Sequence, residues 1–108
     1  MAKKKDWIIK TLKEYLSAMN RICPIEKGIL FGSYAHGNPK KFSDIDLAIF
    51  TKKANNKNRL PLTALFLKET ARLKLDIQPL IFPYQNYITG ENDFVSEEIK
   101  KKGLSIFG

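Results

Sequence analysis

Apolar residues recur at Ile8, Leu12, Leu16 and Met19, a spacing that lines one face of a helix. Asp6 stands where an N-cap would, so a first amphipathic helix is expected from there to about residue 20. Pro24 closes that region, and the pattern changes to short apolar runs. Residues 26–31 and 44–50 read as strands, the second alternating at its start and then continuously apolar, as for a strand emerging at a sheet edge. Residues 51–59, TKKANNKNR, carry no large apolar side chain and read as a solvated loop. Pro61, a favoured first helical residue, opens a second helix to about Lys74, with Leu62, Leu65, Phe66 and Leu73 as its buried face. A third strand follows Asp76 and ends near Phe82, and residues 83–92 form a turn-rich connector. A last helix begins near Asp93 and stops before Gly103. Its early Glu97 and Glu98 and late Lys101 and Lys102 complement the helix dipole and pair at i,i+4. Residues 104–107 add a short edge strand. The sum is an α/β (α+β) chain, a small mixed β-sheet flanked by helices, organised as one domain over residues 1–108.

The chemistry concentrates between the first two strands, in GSYAHGNPKKFSDIDLAIF, residues 32–50. Gly32 ends an apolar strand, can take the positive φ of a tight turn, and lets main chain approach a ligand closely. Ser33 adds a hydroxyl, and the main-chain N–H groups beyond it can face an anion. Period two puts Asp44 and Asp46 on one face of the next strand. Two carboxylates side by side repel unless a cation lies between them. Hard oxygen donors of this kind suit Mg²⁺ or Mn²⁺, with water and substrate phosphate filling the remaining positions. Asp76 supplies a third acid if its strand pairs beside the Asp44 strand. Its carboxylate can then reach the same metals and accept the proton of an attacking hydroxyl.

Gly32-Ser33, ten intervening residues, then Asp44-x-Asp46, with Ser43 before the first acid and Asp76 in a later strand, resembles the signature of the DNA polymerase β-like nucleotidyltransferase superfamily. The nearest resemblance is to its small prokaryotic minimal nucleotidyltransferases, and it extends over nearly the whole chain, including the helix-Gly-strand ending at 97–107. The resemblance implies that Asp44, Asp46 and Asp76 are the catalytic, metal-binding acids. Gly32, Ser33 and Ser43 would hold the nucleotide, ATP or another NTP. It further implies transfer of a nucleoside monophosphate to an acceptor hydroxyl, plausibly a tyrosine of an all-helical HEPN-type toxin that this chain would neutralise as antitoxin. Two other readings stand beside it: a non-catalytic module that masks such a partner, and an antibiotic nucleotidyltransferase, for which the chain has no additional domain to build a drug pocket.

Composition narrows the classes. With 44% hydrophobic and 28% charged residues the chain is ordinary globular material, and no apolar stretch is long enough for a secretory or membrane-spanning segment. Cys23 is the only cysteine, which excludes an internal disulfide, fits a cytoplasmic setting, and reads as either a small packed side chain or an exposed thiol. Nineteen Lys and Arg against eleven Asp and Glu leave +8, a field that attracts nucleotides or nucleic acid. The basic residues are read chiefly as solvated helix faces and ends, so nucleic acid is not the favoured partner; Lys40 and Lys41, inside the motif loop, read either as solvated loop lysines or as ligands of a triphosphate. His36 reads as an exposed turn residue, and Tyr84 and Tyr87 as packing rather than base-stacking residues. The apolar end at 104–107 either covers its own sheet or leaves an edge for a second copy.

Overall fold

The computed structural model describes residues 2–32, 45–73 and 75–108. Helix α1 (Ala2–Ile22) leads into strand β1 (Lys27–Phe31), followed by β2 (Ile45–Thr51), helix α2 (Arg59–Thr70) with a 3₁₀ turn at Ala71–Leu73, and β3 (Ile77–Pro83). Helix α3 (Tyr84–Thr89), a π helix (Val95–Lys100) and β4 (Leu104–Phe107) complete it. Among the described residues the sheet order is β3-β2-β1-β4, with β2 and β3 parallel and the other two pairings antiparallel. This is the expected mixed sheet flanked by helices.

Alternation along the strands gives the sheet two apolar faces and therefore two cores. Leu30, Ile45, Leu47, Ile49, Ile77 and Ile81 meet the buried stripe Ile8, Leu12, Tyr15, Leu16 and Met19 of α1, together with Phe66 of α2. Ile29, Phe31, Ala48, Phe50 and Phe82 face the other way, against Val95 and Ile99 of the π helix and the half-buried Tyr84 and Tyr87. Cys23 is buried, which decides between the two readings in favour of a packed side chain.

Tyr15 ties α1 to α2: its hydroxyl donates to the carbonyl of Phe66 at 2.6 Å, 51 positions away. Burial raises the Tyr15 pKa above the usual tyrosine range, and the negative charge of Glu69 adds to the shift. The folded protein thus keeps this proton where the unfolded chain loses it. Its contribution is whole below about pH 10, the ordinary tyrosine value, and declines as pH rises further. Tyr15→Phe is expected to cost about 1–2 kcal/mol at neutral pH in denaturant melts, with a shallower loss of stability above about pH 10 than the native chain shows.

Several boundaries differ from the sequence expectation. Helix α1 begins before Asp6, which lies inside the helix rather than capping it. Helix α2 starts at Arg59, with Pro61 third; the first turn's N–H groups have no intrahelical acceptor, so proline costs nothing there. Residues 83–92 are not a plain connector, because Tyr84 and Tyr87 pack one turn apart on the second core and fold that stretch into α3. The last helix starts at Asp93 as expected, with Asn92 accepting the Val95 N–H (3.2 Å), but it is wound as a π turn, seen in the Lys101 N–H bond to the Ser96 carbonyl (3.3 Å). Gly103 ends it where a Cβ would lie 2.5 Å from Ile29 Cγ2, so only glycine lets the chain turn into β4 this close to β1.

The β3 edge is blunted. The bond from Ile45 N–H to the Asp76 carbonyl (2.8 Å) sets the parity of the parallel ladder, so odd-numbered residues of β3 turn their main-chain groups outward. Pro79 and Pro83 occupy such positions, where no ladder donor is lost, and Arg59 Nε donates to the outward carbonyl of Ile81 at 2.8 Å. The opposite edge is the short β4, whose Ile106 is buried while Leu104 is exposed.

Candidate active site

Three of the six residues singled out in the sequence meet at one end of the sheet. Phe31, the last residue of β1, pairs with Asp46 of β2, and Gly32 follows immediately with φ +78°. A Cβ at Gly32 would overlap Oδ2 of Asp46 and lie 3.3 Å from its Cγ. The Asp46 carboxylate therefore rests against bare main chain, and glycine is the residue that permits it. Asp46 itself is half-buried between the fully buried Ile45 and Leu47.

Asp76 enters from the adjacent strand. It is exposed, precedes β3 directly, and is joined to β2 through its carbonyl, which takes the Ile45 N–H. Gln78, two residues on, pairs with Asp46. Alternation then sets Asp76, Gln78 and Asp46 on the same face, and ordinary strand spacings separate the Asp46 and Asp76 main chains by roughly 8 Å. The condition on which Asp76 could join the other acids, that its strand pair beside theirs, is met. A cleft of about 420 Å³ opens beside Asp76, lined on its other side by Leu67 and Thr70 of α2.

Ser33, Ser43 and Asp44, with His36, Lys40 and Lys41, lie outside the described residues. Among those described, no group of three or more His, Cys, Asp or Glu side chains comes together, and Asp46 and Asp76 are two members of the expected three. The sequence reading passed over Gln78. Its signal was the pattern Asp76-x-Gln78, which repeats the polar-apolar-polar start of the preceding strand. No helix among the described residues is long and apolar enough to cross a membrane.

The mixed sheet thus seats one carboxylate on a glycine turn and brings a second, from the adjacent parallel strand, to the same face. The polymerase beta nucleotidyltransferase family model matches residues 10–107, and the chain belongs to that family. Among solved structures, a protein of Sulfolobus solfataricus presented as a candidate nucleotidyltransferase is similar with TM-score 0.64 and 21% identity, over 96% of this chain and 83% of that one. A chain of a toxin–antitoxin structure containing AMP-PNP is similar with TM-score 0.61 and 20% identity, over 89% of this chain and 73% of that one. No curated protein matches.

Proposed function

We propose that this chain transfers a nucleoside monophosphate, AMP from ATP, to a hydroxyl of a protein partner, releasing pyrophosphate. The observation that carries the reading is the seating of the Asp46 carboxylate on Gly32, with Asp76 at the head of the neighbouring parallel strand on the same face. In this proposal Gly32 and Ser33 hold the terminal phosphates, with Ser43 beside them. Asp44, Asp46 and Asp76 would hold Mg²⁺ or Mn²⁺, and the all-oxygen donor set fits such hard ions. Bound there, the cation would neutralise charge on the triphosphate. The acceptor oxygen attacks the α-phosphorus, the bond to the β-phosphate oxygen breaks, and Asp76 takes up the hydroxyl proton.

A protein acceptor is supported by the family resemblance to antitoxins and by the fold shared with a chain of a toxin–antitoxin assembly. The partner expected from the resemblance is an all-helical HEPN-type protein, modified on tyrosine. The direct test is to incubate the chain and its co-purified partner with labelled ATP and Mg²⁺ and weigh both by mass spectrometry. A labelled, heavier partner is expected. A tight complex of unchanged mass would replace transfer with masking, and a labelled small-molecule drug would replace the protein acceptor.

A further inference from the structure

At the end of the sheet away from Asp46, where Lys27 pairs with Phe50 and Thr51 with Pro83, three lysine ammonium groups gather on two tyrosine rings. Tyr84 and Tyr87 of α3 hold their rings nearly parallel, 9° apart with centroids 6.0 Å apart. Lys100 Nζ lies 4.7 Å and Lys27 Nζ 5.5 Å from the Tyr87 centroid, and Lys52 Nζ lies 5.9 Å from that of Tyr84. The ring faces attract each cation. Two are also fixed by main-chain oxygens, Lys100 by the Tyr87 carbonyl (2.7 Å) and Lys27 by Gly108 (3.1 Å).

Among the described residues none of the three lysines is in a salt bridge with an Asp or Glu side chain, whereas Lys101 and Lys102 are paired with Glu97 and Glu98. The Glu26 carboxylate meets Lys52 at its main-chain N–H rather than its ammonium. Lys52 and Lys100 keep their positive charge and spare donors, and Lys27 keeps the donors beyond the one it gives to Gly108.

Beside Tyr84 the surface forms a hollow of about 470 Å³, lined by Pro83 and Ile88 together with Gln85 and Lys52. Ile88 is 62% exposed there. A peptide of Asp and Glu alone would use the ammonium groups and leave this hollow empty. A single nucleic-acid strand uses both, with phosphates on the lysines and an unstacked base against Tyr84. A duplex keeps its bases stacked and has none to offer.

We propose that this face holds single-stranded nucleic acid, at a place separate from the candidate active site and independent of the transfer chemistry. The test is fluorescence anisotropy of the full chain with a labelled oligo-uridine of roughly 20 nucleotides, long enough to span such a site. The triple variant Lys27→Ala, Lys52→Ala, Lys100→Ala is expected to bind at least about tenfold more weakly and to lower the logarithmic salt slope by about 2, the value for three phosphate contacts on a single strand. A control removing the same charge from the opposite face, Lys10→Ala, Lys13→Ala, Lys68→Ala, should weaken binding less than about threefold. With all lysines intact, Tyr84→Ala should lose about tenfold and Tyr84→Phe almost nothing, since stacking needs the ring alone. All variants are compared after melting confirms a native transition; should the triple variant fail to fold, the contrast between Tyr84→Ala and Tyr84→Phe carries the test, and equal binding by the two would overturn the proposal. Equal weakening by the control triple would overturn the proposal in favour of diffuse charge. Equally tight, patch-dependent binding of poly-glutamate would make it an acidic-polypeptide surface, and competition by UMP at oligonucleotide concentrations would make it a mononucleotide site.

Discussion

Replacing Asp46 or Asp76 by Asn is expected to lower divalent-dependent nucleotidyl transfer at least about 1,000-fold, equivalent to roughly 4 kcal/mol of barrier. Asparagine keeps the shape of the side chain and removes the charge that a hard cation and a developing proton both require. A second measurement separates site loss from fold loss. Mn²⁺ with a non-hydrolysable ATP analogue should raise the melting temperature of the native chain, since a ligand at 100 times its Kd adds about 2.7 kcal/mol. Asp46→Asn should forfeit that increment while melting within about 1 kcal/mol of the native chain without ligand. Because the proposal places the two acids in one site, on neighbouring strands, the double variant should be scarcely worse than either single one. Wild-type transfer by both single variants would remove the carboxylates from the mechanism.

The strands and α1 were legible because each is governed by one strong period, as in the buried stripe Ile8, Leu12, Leu16, Met19 and the continuous run Leu47 to Phe50. Helix α3 was hidden by its punctuation. Tyr84, Tyr87 and Ile88 have helical spacing, but Pro83, Asn86 and Gly90 around them read as turn, and only packing on Phe50 and Phe82 decides the matter. The geometry of the candidate site was half legible in a similar way. Residue types and spacing picked out Asp46 and Asp76, yet their proximity depends on strand order, which no local pattern encodes. The contact between Gly32 and Asp46 follows from the Phe31–Asp46 register, a tertiary fact. Ser33, Ser43 and Asp44 rest on the sequence and the family resemblance, since they fall outside the described residues. The lysine–tyrosine patch was invisible for a plainer reason: Lys27, Lys52 and Lys100 are distant along the chain and converge only through the sheet and α3.

Gly32→Ala is expected to damage both stability and transfer, by one cause that can be separated into two parts. A non-glycine residue at φ +78° costs about 1–2 kcal/mol of backbone strain, whatever surrounds it. The added Cβ also falls on Oδ2 of Asp46, so the carboxylate must leave its seat or the strand end must shift. Together these should lower stability by about 2–3 kcal/mol, or roughly 8–20 °C in Tm for a chain of this size. Transfer should fall at least about 100-fold, because an acid displaced by an ångström no longer meets the reacting groups. The double variant Gly32→Ala, Asp46→Ala distinguishes the parts. With Oδ2 gone the collision is relieved and only the backbone strain remains, so the alanine at 32 should cost about 1 kcal/mol less in that background than in the native one. Transfer would stay absent, since the carboxylate is missing. If Gly32→Ala alone melts and turns over like the native chain, the close approach of Gly32 to Asp46 is not the feature on which the site depends.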